Sequence, residues 1–356
     1  MESSTGRYFV GLDHVRAVAA FLVFTWHFNH VNDGHLAAAP VFPLSIFTEG
    51  HVGVALFMTL SGYLFAKLIG QNQIHTLRFL ANRIIRLFPL LFVAFALTFF
   101  LQVMPSGQPI GTYLQILLRG FVTPEWPNGG WSITVELHFY LMLPLLLMIR
   151  TRNPIGLLVV IALSITLRAA LWVVKGEVQS LAYWTLVGCI DQFVFGMLAF
   201  YFSHRLRRRH FLAVGTGLTL LVFMYLFDVW GGFYMNETYP TPSPIWIVAP
   251  TISGLCFATL IAWYDTSFRF ESHFFSNALA LVGTCSYSIY LLHFFVVFDL
   301  AQFVQKHVVD LTHTPTMVLA SAICFVGFVP VAWASYRFFE RPPMRFRQPY
   351  IQHGQS

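Results

Sequence analysis

Residues 11–28 read Gly11-Leu12-Asp13-His14-Val15-Arg16-Ala17-Val18-Ala19-Ala20-Phe21-Leu22-Val23-Phe24-Thr25-Trp26-His27-Phe28. The segment is apolar enough to leave water, yet it carries Arg16 and His27. Apolar runs of the same kind recur at about 9–29, 51–68, 87–104, 131–149, 155–174, 183–203, 211–229, 245–264, 277–300 and 315–337. Polar stretches with Pro or Gly divide them, among them Pro105-Ser106-Gly107, Pro127-Asn128-Gly129-Gly130 and Pro240-Thr241-Pro242-Ser243-Pro244. A helix that crosses a bilayer needs about 20 mostly apolar residues, and most of these runs approach that length.

Composition agrees with this reading. Of 356 residues, 57% are hydrophobic and 10% are charged, whereas soluble globular proteins carry roughly 25% charged residues. The expected fold is an all-α integral membrane protein, a bundle of about ten transmembrane helices. A single transmembrane domain over residues 1–345 and a short cytoplasmic tail over 346–356 account for the chain.

The net charge of +6 is distributed as the positive-inside rule expects, so it argues against a nucleic-acid partner. Starting inside, the cytoplasmic connections carry Arg78, Arg83, Arg86, Arg150, Arg152, Arg205, Arg207, Arg208, Arg209, Arg269, Arg337, Arg341, Arg345 and Arg347. The opposite set holds Arg119, Lys175 and Lys306. This asymmetry predicts an inner (plasma) membrane protein with both termini cytoplasmic. Arg7, the apolar run to Phe28 and Ala37-Ala38-Ala39 imitate a signal peptide. Asp13, His14 and Arg16 interrupt that run, so it reads as a retained first helix. Cys189, Cys256, Cys285 and Cys324 fall in apolar runs and read as buried hydrophobes.

Ionisable residues inside a spanning helix are costly, which makes each a functional candidate. Arg16 and His27 lie about three turns apart on one helix face, ~16 Å along the axis. Asp13, one turn before Arg16, is placed to pair with it. A snorkelling arginine and an interfacial histidine would explain the pair. A passage with an anion site at its inner end and proton transfer at its outer end explains it too. Glu136, in Trp131-Ser132-Ile133-Thr134-Val135-Glu136-Leu137-His138-Phe139-Tyr140, lies ~8 Å into its helix from the outer face, a depth close to that of His27. An imidazole–carboxylate pair suits proton abstraction, and a structural interhelical hydrogen bond suits it as well. Arg83 and Arg86 share a face at a helix entrance, as a phosphate site or a membrane anchor. His293 and Asp191 read equally as functional or as satisfied polar residues within spans. His27, His30, His35 and His51 match no dependable ligand spacing, so no metal is expected.

At this point the motifs resemble the acyltransferase 3 family, membrane-bound O-acyltransferases of bacterial surface glycans. Gly11-Leu12-Asp13-His14-Val15-Arg16, with His27 beyond, is similar to that family's first-helix signature. Phe57-Met58-Thr59-Leu60-Ser61-Gly62-Tyr63-Leu64 resembles its second-helix motif, and Arg83-Ile84-Ile85-Arg86-Leu87-Phe88-Pro89 its paired arginines. Trp131-Ser132 through Glu136 and Tyr140, Asp191-Gln192-Phe193, Ser286-Tyr287 to His293, and Arg337-Phe338-Phe339-Glu340-Arg341-Pro342 follow in order. Cys189 stands where the family often has Arg.

The resemblance implies acetyl transfer from cytoplasmic acetyl-CoA, an acyl-CoA donor, to a hydroxyl of an extracytoplasmic glycan or glycolipid, within the lipid bilayer. Arg83, Arg86 and Arg16 are the expected donor-binding residues. His27, Glu136 and Arg16 are the expected catalytic group, with Trp131, Ser132, Tyr140 and His293 as substrate-binding candidates. Some relatives carry a soluble esterase-like domain after the membrane unit. Because the chain ends soon after Pro342, the expectation is that the membrane unit completes transfer itself. A transporter of a glycan or lipid-linked sugar, using the same polar residues without chemistry, is the alternative.

Overall fold

The computed structural model describes residues 8–31, 35–232, 240–271 and 273–352. Arg7 and the end of the 346–356 tail lie outside the described residues. The principal helices are α1 (Val10–Phe28), α2 (Val52–Ile69), α3 (Thr76–Thr98), α4 (Trp131–Arg152), α5 (Gly156–Lys175), α6 (Leu186–Tyr201), α7 (His210–Gly231), α8 (Ala249–Ser267), α9 (Phe274–Thr284), α10 (Ser286–Leu292), α11 (Val297–His307) and α12 (Thr314–Ser335). The strands of the described residues form two short antiparallel ladders. One pairs β1 (His30–Val31) with β2 (His35–Leu36) and the other β3 (Gln73–Ile74) with β4 (Ile351–Gln352).

Each of the ten apolar runs is helical along most of its length. By length and apolar content, six helices qualify as membrane spans, or seven when the bent α9–α10 pair counts as one. The expected count of about ten is therefore not reached on those criteria. The reason lies in the sequence: α1 and α8 carry polar side chains through their length, and α6 has only 16 residues.

These helices are also where burial concentrates. Span α2 is 78% buried inside the protein, while the other five spans are 22–44% buried. The peripheral spans leave Phe92, Leu141, Val159, Val173, Phe211 and Ile323 exposed, an outward apolar face that suits lipid. The inner helices pack closely: α2 lies against α1, α6 and α8, and α1 also against α9.

Small residues set the closeness of α2 and α6. A side chain at Gly62 would run into the carbonyl oxygen of Phe193, and one at Gly196 into the carbonyl oxygen of Thr59. Two backbones thus approach through reciprocal glycines, the device that lets helices pack where lipid supplies no hydrophobic drive.

The helices around the interior are broken rather than straight. Cys189 has non-helical backbone angles inside α6, and α9 meets α10 at a 50° bend. Such breaks require internal partners for the freed backbone groups. Close to the chain's end, Asn82 pairs with the Gln348 backbone through two hydrogen bonds of 2.6 and 2.9 Å. That clasp and the β3–β4 ladder strap the tail to the start of α3. Gly62→Ala should destabilise the bundle by about 1–3 kcal/mol through overpacking, read as a lowered thermal midpoint in detergent. An unchanged midpoint would show that α2 and α6 can separate freely.

Candidate active site

The polar residues singled out along the chain gather around two cavities in the bundle. The first, of about 90 Å³, is lined by Arg16, Arg83, Arg86, Ser132, Glu136, Tyr140 and Tyr290, with apolar side chains between them. The second, of about 530 Å³, is lined by His27, His30, His51 and a set of aromatic rings that includes Trp131. Val54 and Tyr290 line both. The arginine cavity and the histidine cavity therefore adjoin across two side chains.

Helix α1 supplies one polar group to each. The eleven-residue spacing sets Arg16 and His27 on one face, and the structure places them in different cavities along it. Arg16 donates a charge-assisted hydrogen bond to buried Asp13, the i,i+3 pair that the sequence suggests. The arginine cavity concentrates positive charge. Arg83 is 5% exposed, and its guanidinium lies 5.3 Å from the Phe65 ring centroid and 5.5 Å from that of Phe79. Its buried Nε has no hydrogen-bond partner among the described residues. Arg347, on the strapped tail, has its pKa lowered to about 10 by burial, with Arg86 and Arg83 adding to the effect. Guanidinium groups brought this near repel one another, and an anion with several oxygens would relieve that repulsion.

The carboxylate of Glu136 belongs to the same cavity. It accepts a hydrogen bond from the Tyr140 hydroxyl one turn later. The expected pairing of Glu136 with His27 is thus replaced by another arrangement. Equal depth along two helices does not fix which way each side chain faces, and Tyr140 turns this carboxylate toward the arginines.

His27 has His293 as its partner instead. The Nδ1 of His27 lies 2.9 Å from the Val23 carbonyl oxygen and 3.1 Å from Nε2 of His293. The Nδ1 of His293 lies 3.0 Å from the Ile289 carbonyl oxygen. A carbonyl oxygen only accepts, so both Nδ1 atoms carry the proton. His293 Nε2 is then an acceptor, and the His27 N–H is shared between it and Val23. This leaves His27 Nε2 with a lone pair on a ring that lines the cavity. His293 itself is 1% exposed and stands behind His27 rather than at the cavity wall.

The other candidates divide between the cavities. Ser132 lines the arginine cavity and donates to the Tyr290 hydroxyl at 2.7 Å. Tyr290 in turn donates to the Gly129 carbonyl at 2.9 Å. Ser132 and Tyr140 already spend their hydroxyl protons, whereas Trp131 lines the histidine cavity. Asp191 is in neither. It is fully buried and bonded to Arg168, which the sequence reading passed over, at 2.8 Å. Arg168 also donates to Thr251 Oγ1 at 2.6 Å, to Ile247 O at 2.8 Å and to Gly188 O. These contacts satisfy the carbonyl freed beside the Cys189 break and make the pair a structural one. An arginine in mid-run within 156–175 was the missed signal. Among the described residues, no three histidine, cysteine or carboxylate side chains are placed to hold a metal. The four cysteines are free.

Together these features define a multi-helix membrane protein whose interior joins an anion-ready cavity to one walled by an unprotonated imidazole nitrogen. The chain belongs to the acyltransferase 3 family, whose acyltransferase-domain model matches residues 9–337. It is 25% identical over 389 aligned residues to the O-acetyltransferase OatA of Staphylococcus aureus strain NCTC 8325 / PS 47, and equally to that of strain COL. Each alignment covers 94% of this chain and 57% of the relative. The chain thus spans a little over half the length of the curated relatives it matches. No solved structure matches it.

Arg168→Met should leave Asp191 as an uncompensated buried charge and destabilise the protein by about 3–5 kcal/mol. Thermal unfolding in detergent checks this, with His27→Ala as a control expected to melt near the wild type. A wild-type midpoint for Arg168→Met would remove the structural assignment.

Proposed function

We propose that the protein is an O-acyltransferase that carries an acyl group, most readily acetyl, from acyl-CoA to a hydroxyl of an extracytoplasmic glycan or glycolipid. The donor enters from the cytoplasmic face of the inner membrane, and both termini lie on that side. The observation that carries this reading is the meeting of the two cavities at Val54 and Tyr290.

In this reading Arg83 and Arg86, with Arg16 and Arg347, bind the donor's phosphates at the cytoplasmic mouth. Arginine suits the task because its planar fork matches phosphate oxygens. The thioester end extends past Val54 and Tyr290 into the histidine cavity. His27 Nε2 takes the proton of the acceptor hydroxyl as its oxygen attacks the thioester carbonyl. The C–S bond then breaks, and the sulfur leaves as thiolate, which receives a proton. His293 Nε2 accepts the His27 Nδ1 proton in a hydrogen bond and keeps the imidazole in the tautomer that exposes Nε2. Glu136 offsets the arginines' charge between turnovers and orders Tyr140. Trp131 offers an indole N–H to a developing oxyanion.

Purified protein in nanodiscs, given acetyl-CoA and crude envelope glycan, should release CoA only when acceptor is present. His27→Ala should lose about 10²–10⁴-fold in kcat, the usual contribution of a general base. Arg83→Ala should chiefly raise the KM for donor. Val54→Trp should block transfer at the junction while leaving donor binding intact. Full turnover by His27→Ala would remove the base assignment. Failure of the wild type to consume acetyl-CoA or other acyl-CoAs would remove the acyltransferase reading and favour a transporter.

A further inference from the structure

The histidine cavity differs from the arginine cavity in its chemistry as well as its size. No lysine or arginine lines it among the described residues. Its walls carry Trp26, Trp126, Trp131, Trp184, Tyr183 and Tyr290. Several of these rings are braced by one another: Trp131 meets Trp184 at 4.5 Å between centroids, and Tyr183 meets Trp131 at 4.9 Å. Such a cavity offers flat apolar faces and few polar groups. The C–H face of a pyranose ring fits it, whereas a carboxylate or phosphate would lose its water there and meet no cation.

The polar groups that do line this cavity include two histidines outside the described helices. His30 is bonded through Nδ1 to the Trp26 carbonyl at 2.7 Å, and burial lowers its pKa to about 4. His51 is 7% exposed, and its Nδ1 lies 2.9 Å from Oε2 of fully buried Glu49. Behind Glu49, Thr48 donates to buried Asp228 at 2.9 Å. The His51 ring, with its Nδ1 beside the Glu49 carboxyl, thus lies on the same cavity that His27 lines. Burial lowers the pKa of His51 to about 3, outweighing the opposite pull of Asp228, so the imidazole offers a neutral hydrogen bond.

We propose that the histidine cavity takes an uncharged sugar residue, and that His51, held beside Glu49, binds a hydroxyl of that sugar other than the one that reacts. This rests on the acyltransferase reading and narrows it to a substrate class. His51 is a specificity residue in this assignment, distinct from the base His27. One cavity thus selects anions through arginines, and its neighbour selects neutral polyols through aromatic rings and imidazoles.

The test uses the full chain in nanodiscs with isotopically labelled acetyl-CoA and crude envelope glycans separated into uncharged and anionic pools. Mass spectrometry after mild depolymerisation identifies the sugar residue that carries the label. The expected result is acetyl on uncharged residues, from either pool. His51→Gln should raise the acceptor KM about tenfold, the scale of one neutral hydrogen bond, with kcat and donor KM nearly unchanged. Trp184→Ala provides a second variant, again with a raised acceptor KM. Acetyl on a residue bearing a carboxylate or phosphate overturns the substrate class and leaves the acyltransferase reading standing. An unchanged acceptor KM in both variants overturns the role of this wall. Donor left unconsumed with every pool would instead remove the acyltransferase reading, and this assignment with it.

Discussion

A charge moved into a lipid-embedded bundle must be compensated where it sits, because no water is present to do so. Most of the interior follows from that constraint. Asp13 answers Arg16, Asp191 and several oxygens answer Arg168, and Asp265 answers Lys67 at 2.5 Å. Arg83 stands apart from this pattern. Its guanidinium is held by rings, and its Nε lacks a partner among the described residues. A buried guanidinium with an unpartnered Nε and no carboxylate bonded to it among the described residues offers a place for a ligand.

The second organising element is a pair of backbone carbonyls. Val23 O and Ile289 O each accept from a histidine Nδ1, and together they determine which nitrogen of His27 is free. Helix geometry thereby becomes chemistry: each carbonyl lies four residues before its histidine, within the local turn. In the proposed reaction His293 acts through His27, from behind the cavity wall. A bend of 50° between α9 and α10 is the local irregularity in the chain segment that brings His293 to His27.

Much of this was legible from residues alone, and what failed did so for physical reasons. The helical runs were plain because 3.6-residue geometry and lipid solvation leave a strong apolar signature. Arg16 and His27 could be placed on one face because both lie on a single helix. Glu136 could not be assigned its neighbour, because depth in a second helix leaves rotation undetermined. The Arg168–Asp191 pair spans two helices, 23 residues apart, and no periodicity reports such a contact. Glu49 and Asp228 were missed for the same reason, since they meet only after α7 folds beside the loop before α2. The count of about ten spans is met in part, by six or seven helices, because α1 and α8 carry polar side chains and α6 has only 16 residues.

In the proposed function, donor and acceptor are reached from opposite faces through one continuous interior. Oriented proteoliposomes test it most directly, with labelled acetyl-CoA supplied on the face of Arg83 and Arg86 and a glycan acceptor enclosed on the other. The two-cavity arrangement predicts label on the enclosed acceptor, lost in Val54→Trp, with no free acetyl-CoA crossing. Label that appears only when donor and acceptor share one face would contradict it.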